Sequence, residues 1–311
     1  MNGRIVTCDQ KAWLLPPLLE WNLLRTGSVP CDAFSVTCVY TPDMAERLHQ
    51  AVSFLAWEGG KLLLHGFVDE YEIRQDSAGR TVTLTGRGYA GRLLDNESRP
   101  LTYQGATLSE IVRNHVLPYG IPCTKIADVR ADSAYTVAAG TSQWKALEGF
   151  CRTYGGFVPE FAADGELIAR PSGGGRLLQL DGAAELLRLE KRENHYGVFS
   201  EVLVIDKTRN ASYTVRNQDF LRRGGQCRRV LYTPGQSTWA AMRYTGEYQI
   251  ARSKEDEIVI TAELPGTVWA EPGDTVRVNR PECGLSGDYR LTAAEYAMSA
   301  QGETTVLTLK E

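Results

Sequence analysis

Three glycines at the spacing of a nucleotide-binding fingerprint are the residues that most directly suggest chemistry. Gly86, Gly88 and Gly91 spell G-x-G-x-x-G. A dinucleotide site needs a buried parallel strand before these glycines, and a helix after them whose N-terminus faces the pyrophosphate. Residues 80–85 instead alternate polar and apolar side chains, which is typical of an antiparallel strand with one solvated face. Pro100 then stops the next segment after roughly two helical turns. We therefore predict no cofactor, and interpret the three glycines as the structural corner that ends a first β-barrel.

Other side chains that could support catalysis are scattered. The four histidines are isolated from one another, and none lies beside a Ser or Cys nucleophile in a G-x-S-x-G elbow. Asp69, Glu70 and Glu72 crowd three carboxylates onto one strand, but only Glu70 and Glu72 share a side of it, which makes them a weak acid/base pair. We predict no catalytic residues and no enzymatic activity.

The seven cysteines do not indicate a metal site. None forms C-x-x-C, and no histidine lies at ligand spacing from one of them. Several occur in apolar strand or helix contexts, so we expect buried, reduced thiols and no bound metal.

A cluster of arginines is the strongest charge feature. Arg222, Arg223, Arg228 and Arg229 fall within eight residues and could form a partner-facing basic patch. The alternative is a solvated loop in an acidic protein. Because no aromatic residues interleave with the arginines, we expect no nucleic-acid binding.

The composition is that of an ordinary globular protein. The chain has 311 residues, a net charge of −4, 43% hydrophobic and 23% charged residues, and 30 glycines, a number that suits a turn-rich β protein. No run approaches the roughly 20 apolar residues of a membrane-spanning helix, and the first residues lack the apolar core of a signal peptide. We expect that the chain is synthesised in the cytoplasm and does not insert into a membrane.

The chain divides by the period of its apolar residues. Residues 1–98 contain five or six short strands and predict an N-terminal β-barrel. Residues 99–172 predict a small α/β module, with Thr107 and Glu110 as a capping box and Thr141 capping a second helix. After a glycine-rich linker at 171–175, residues 173–311 predict a second barrel with an α/β excursion at about 207–255. A helix is predicted at 239–254 within this excursion. The predicted fold class is mainly β, with two antiparallel barrels of tail-tube-like type and a small α/β insert between them.

The order of several loose motifs along this frame resembles the baseplate hub proteins of contractile phage tails and related injection systems. That family includes the T4-type hub and the D-protein-like hubs. The motifs cover nearly the whole chain and lie at residues 66–71, 83–95, 105–111, 149–156, 271–276, 287–291 and 304–309.

The resemblance implies a homotrimer whose barrels form a pseudo-sixfold ring that joins a hexameric tail tube to a trimeric central spike. It also implies tail tube, spike, tape-measure and baseplate wedge proteins as partners. The expected location is the baseplate of a virion or tail-like particle assembled in the bacterial host cytoplasm. Two alternatives stay open. One is a tail-associated cell-wall hydrolase, and the other is a carbohydrate-binding β module, which would need exposed tryptophans among Trp13, Trp21, Trp57, Trp239 and Trp269.

Overall fold

The computed structural model describes residues 1–27, 31–171, 173–181, 185–233 and 238–311. Ser172 of the predicted linker and residues 234–237 of the predicted excursion lie outside the described residues. No helix in the described ranges is both long enough and apolar enough to cross a membrane.

Strands dominate the described chain. In order they are β1 (Asn2–Thr7), β2 (Ala12–Leu14), β3 (Leu18–Thr26), β4 (Ala33–Val39), β5 (Ala51–Glu58), β6 (Lys61–Asp76), β7 (Gly79–Gly88), β8 (Leu101–Tyr103), β9 (Lys125–Ile126), β10 (Tyr135–Val137), β11 (Glu160–Phe161), β12 (Leu167–Ala169), β13 (Leu177–Leu180), β14 (Arg188–Glu193), β15 (Glu201–Asp206), β16 (Ala211–Arg216), β17 (Arg228–Tyr232), β18 (Ile258–Pro265), β19 (Thr275–Arg280), β20 (Leu285–Ser299) and β21 (Gly302–Lys310). The α-helices are α1 (Ala45–His49), α2 (Ala90–Asp95), α3 (Leu108–His115), α4 (Gln143–Phe150), α5 (Gln218–Arg222) and α6 (Trp239–Lys254). The prediction of a mainly β, antiparallel fold is confirmed, because the described chain is mostly strand and its large sheets are antiparallel.

The chain forms two compact units. Unit 1 comprises residues 1–178, 263–275 and 291–307, and unit 2 comprises residues 179–262, 276–290 and 308–311. The predicted domain division at 98/99 and 172/173 stays a prediction.

Unit 1 is built on an antiparallel sheet with the strand order β3-β4-β7-β6-β5-β1-β2. Residues 293–298 of β20 pair with the free edge of β3. Alternation along each strand places one side-chain set in the core, as Val82 and Leu84 of β7 show by being fully buried. The rings of Phe34 and Phe54 stack at 4.4 Å between centroids in this core.

The α/β module of unit 1 has its own core, formed by α3, α4 and the short strands around them. The predicted capping box is present: the Thr107 side chain accepts from the Glu110 backbone N–H, and the Glu110 carboxylate accepts from the Thr107 N–H. The second helix begins one residue later than predicted. Its cap is Ser142 rather than Thr141, because the Ser142 hydroxyl is the group that accepts from the Lys145 N–H.

Within unit 2, β15 lies between antiparallel β16 and parallel β17. Helix α6, whose span matches the predicted helix at 239–254, packs on β15 and β16. Val202, Val204 and Met242 are fully buried between helix and sheet. The close approach uses Gly246, where an added Cβ would lie 2.5 Å from Val215.

Candidate functional site

The fingerprint glycines lie where strand β7 runs into helix α2. Gly86 and Gly88 belong to β7, and Gly91 belongs to α2. β7 is antiparallel to both of its neighbours, β4 and β6, and α2 has six residues. The corner therefore lacks the parallel strand and the following long helix that position a pyrophosphate in a dinucleotide fold.

Close backbone contact explains the small residues at this corner. A Cβ at Gly86 would lie 2.1 Å from the Phe67 carbonyl oxygen and 2.6 Å from the Phe34 ring. A Cβ at Gly91 would lie 2.8 Å from Phe67 Cζ, and one at Gly88 would lie 3.2 Å from Asp32 Cβ. Of the three positions, Gly86 is the one where backbone itself occupies the space of a side chain. We propose that all three glycines serve this geometry.

Arg87 holds the corner in place between its glycines. Its guanidinium donates to both carboxylate oxygens of Asp69, at 2.8 and 3.0 Å, and to both of Asp95, at 3.1 and 2.8 Å. The hydrogen bonds from Arg87 lower the pKa of Asp95. Asp69 sits at a β-bulge of β6, so the cluster ties the bulge, β7 and α2 together.

A cleft opens beside the corner, with an empty volume of about 420 Å³ that includes open solvent. His65, Gly88, Tyr89 and Trp144 contribute to its lining. His65 is not free to act as a base there, because the Tyr89 hydroxyl lies 3.0 Å from its Nε2 and the Asp164 carbonyl oxygen lies 3.0 Å from its Nδ1. Burial also lowers the pKa of His65, which favours a neutral ring that accepts from Tyr89 and donates to Asp164. The histidine fastens β6 to the turn between β11 and β12.

A buried ion pair beneath the cleft was not predicted from the sequence. Arg25 Nε donates to Asp32 at 2.8 Å, and a second guanidinium nitrogen donates to the Leu63 carbonyl at 3.1 Å. Both side chains are about nine-tenths buried or more. Burial raises the pKa of Asp32, and the charge of Arg25 opposes this. A signal was present in the sequence: Arg25 follows Trp21 and Leu23 at core-facing alternation along one strand.

Glu70 and Glu72 lie on the same side of β6, as their period predicts, opposite Thr85 and Thr83. Both are exposed on a stretch of the β6–β7 hairpin in which every residue from 69 to 80 is exposed. Neither lines the cleft. They therefore offer no enclosed pair of carboxylates.

Most of the tryptophans that the carbohydrate-binding alternative would need exposed are at least partly covered in the structure. Trp21 is buried, and Arg47 stacks over Trp13 while Arg4 stacks over Trp57. Among the five tryptophans proposed for carbohydrate binding, Trp239 is the exposed one.

Ion pairs within the chain involve three of the four arginines of the predicted basic patch. Arg222 pairs with Asp219 on its own helix. Arg223 pairs with Glu193 at 3.0 Å and also with Glu257, and Arg228 pairs with Glu201 at 2.6 Å. Arg229 is exposed. A role for these arginines in facing a partner stays a prediction.

Glu193, His195 and Glu257 bring three possible metal ligands within 4.8 Å of one another. The guanidinium of Arg223 binds both carboxylates of this group and lies 3.4 Å from His195 Nε2. Because the arginine already supplies the positive charge, we interpret the cluster as an ion-pair network.

No family model matches this chain, and no curated protein matches it. Solved structures do match. The tail protein from Neisseria meningitidis MC58 aligns with a TM-score of 0.80 and 18% identity, covering 100% of this chain and 96% of its own. The 43 kDa tail protein of prophage MuSo2 from Shewanella oneidensis aligns with a TM-score of 0.81 and 15% identity, covering 99% and 98%.

A more distant match links the fold to secretion machinery. The E. coli c3393 protein is described as a component of the type VI secretion system with structural similarity to the T4 tail proteins gp27 and gp5. It aligns with a TM-score of 0.54 and 10% identity, covering 94% of this chain and 73% of its own. At these identities the likeness concerns the fold alone, and this chain shares the fold of the two tail proteins and of the c3393 protein.

Proposed function

We propose that this chain is a structural component of a phage tail or related contractile injection device, and that it acts there as the baseplate hub. Three copies would form a pseudo-sixfold ring that joins the hexameric tail tube to the trimeric central spike. Its neighbours would be the tail tube, spike, tape-measure and wedge proteins. It would reside in the baseplate of a virion or tail-like particle assembled in the bacterial host cytoplasm.

One observation carries this proposal. The likeness to the two tail proteins extends over both units of the chain and leaves almost nothing unaligned on either side. A single shared sheet could arise in many β proteins, whereas an alignment that covers both units of the chain is more specific. The c3393 protein, which shares the fold, is described as similar to the T4 tail proteins gp27 and gp5. The hub role itself comes from the resemblance of the sequence motifs to the hub proteins.

The residues described above favour a structural role over an enzymatic one. The histidine beside the cleft is held by two hydrogen bonds, and the acidic residues of β6 stand on an exposed hairpin. We therefore propose that this chain carries out no catalytic step in the particle.

The test is the assembly state of the purified protein. Sedimentation velocity over a range of concentrations should give a trimer, and electron micrographs of that species should show a ring with pseudo-sixfold symmetry. A strictly monomeric protein at all concentrations, and equally monomeric when recovered from tail particles, would contradict the hub proposal.

A genetic test addresses the position in the particle. Deletion of the coding region should leave tubes without a spike-bearing end, and the intact gene supplied in trans should restore complete particles. Complete, spike-bearing particles in the deletion strain would contradict the proposal.

A further inference from the structure

The central strand of the small sheet in unit 2 is apolar on both of its faces. Successive side chains of a strand point to opposite sides, so Val202 and Val204 share one face of β15 while Leu203 and Ile205 share the other. Val202 and Val204 are fully buried under α6. A strand that is apolar on both faces is typical of a sheet that is covered on both sides.

The face opposite α6 is partly exposed in the part of the chain that the structure describes. By register, Leu203 lies between Thr214 and Val230, and Ile205 lies between Ser212 and Tyr232. Val230 is 42% exposed and Tyr232 is 61% exposed, while Leu203 and Ile205 are half-buried. Lys207 sits over the Tyr232 ring at 4.1 Å. We call this surface, made of residues 201, 203, 205, 212, 214, 216, 228, 230 and 232, the open sheet face.

One end of the open sheet face carries a row of charges. Glu201 is opposite Arg216 on one neighbouring strand and opposite Arg228 on the other. Both arginines bind the one carboxylate, at 3.1 and 2.6 Å. Since one carboxylate offsets a single guanidinium charge, the row keeps a net charge of +1. The surface therefore combines an apolar centre at Leu203, a tyrosine at one end and an arginine-bearing rim at the other, which is the composition of protein interfaces.

The charge of the chain is divided unequally between the units. Unit 2 contains 17 Lys and Arg against 14 Asp and Glu, a net charge of +3. Because the whole chain has a net charge of −4, unit 1 carries −7, from 17 basic and 24 acidic residues. Unit 1 of a second copy thus has the net negative charge that attracts a face with a net positive charge.

We propose that the open sheet face of one copy docks onto unit 1 of a second copy. Such a contact joins two different surfaces of the same chain, so each copy has one donor face and one acceptor face. Heterologous contacts of this kind generate closed rings when the rotation between copies closes. The inference rests on the proposed homotrimer and adds to it the surface through which the copies associate.

Substitution of Tyr232 with an acid tests the face directly. Tyr232→Asp places a carboxylate on the open sheet face, opposite an acidic unit, and Tyr232→Ala removes the ring without adding charge. Interface anchors of this type cost 2 kcal/mol or more when removed, so we expect the dissociation constant of the assembly to rise at least about 30-fold for both variants. Sedimentation velocity measures this change.

The chain offers a matched control. Tyr244 on α6 is also 61% exposed but lies on the helix rather than on the open sheet face. Tyr244→Asp should leave assembly unchanged. Circular dichroism and thermal melts of all variants check that each is folded. Equal loss of assembly in Tyr244→Asp and Tyr232→Asp would overturn the assignment of the contact to this face.

Crosslinking identifies the partner surface. A photoreactive amino acid replaces Thr214, and the protein is mixed with an isotopically labelled wild-type copy before illumination. We expect crosslinked peptides that join residue 214 to residues 1–178, 263–275 or 291–307 of the labelled copy. Crosslinks to unit 2 of the labelled copy, or crosslinks found solely within one copy, would overturn the inference.

The outcomes separate this inference from the proposed function. A monomeric wild type contradicts the hub trimer itself. A trimeric wild type whose Tyr232 variants remain trimeric with unchanged affinity leaves the hub proposal standing and overturns the open sheet face as its contact.

Discussion

Replacement of Gly86 by alanine is the sharpest test of why glycine occupies the corner between β7 and α2. The new Cβ would lie 2.1 Å from the Phe67 carbonyl oxygen, whereas carbon and oxygen approach to about 3.3 Å in the closest favourable contacts. Strands β6 and β7 would therefore have to separate locally by roughly 1 Å. The Phe34 ring, 2.6 Å from the same position, would also have to move.

The cost follows from two opposing effects. Forced expansion of a packed region destabilises by about 1–3 kcal/mol and occasionally more. The loss of backbone freedom in the unfolded chain returns about 0.4–1 kcal/mol when glycine becomes alanine. Because the obstacle at Gly86 is backbone rather than a movable side chain, we expect a net loss of about 2–3 kcal/mol. For a unit of this size the melting temperature should fall by roughly 4–12 °C.

Gly88→Ala is the matched control. It lies two residues along the same strand, and its Cβ would meet Asp32 Cβ at 3.2 Å, a contact that a small shift relieves. We expect it to change stability by less than about 1 kcal/mol. Urea unfolding followed by tryptophan fluorescence, with thermal melts in parallel, measures both variants. A Gly86→Ala protein as stable as the wild type, or a larger loss for Gly88→Ala, would refute the close-approach argument.

Three further predictions concern buried groups. Arg25→Leu should destabilise unit 1 by about 3–5 kcal/mol in urea unfolding, because it removes the guanidinium that balances the charge of the buried Asp32 carboxylate. The double variant Arg25→Leu/Asp32→Leu should recover much of that loss. Burial lowers the pKa of His115 below its ordinary value near 6.5. As the pH falls through 6.5, the unfolded chain binds a proton at this histidine and the folded chain does not, so the free energy of unfolding should decrease more steeply with falling pH in the wild type than in His115→Gln. Equal pH dependence of the two proteins would contradict this. Burial raises the pKa of Cys151 to about 12, whereas Cys283 is exposed. A thiol reagent at about pH 8 should therefore label Cys283 rapidly in the native protein and should label Cys151 only once the protein is denatured. Rapid labelling of Cys151 in the native protein would contradict its burial.

Signals contained in a few consecutive residues predicted much of the fold. The capping box at Thr107 and Glu110 needs four residues and was found at its predicted position. The alternation of residues 80–85 predicted an antiparallel strand, and β7 is antiparallel to both neighbours. The helix at 239–254 was likewise predicted within its own sequence. In each case the physical cause of the element lies inside the element.

Features that depend on distant residues could not be predicted in this way. The basic run at 222–229 looks uncompensated in sequence, yet Arg223 finds its acids 30 and 34 residues away and Arg228 finds Glu201 across a parallel strand pair. The bulge that aims Asp69 at Arg87 has no sequence signal of its own.

The pairing of β3 with β20 also has a consequence for the synthesis of the protein. Residues 21–26 hydrogen-bond to residues 293–298, so about 270 residues must be translated after β3 before its partner exists. At about 5–20 residues per second this takes roughly 15–50 s. During that time one edge of β3 in the nascent chain lacks its strand partner, and an unpaired strand edge can pair with other chains. A nascent chain that stalls before residue 293 would keep that edge unpaired, so truncated products would have an incomplete sheet in unit 1.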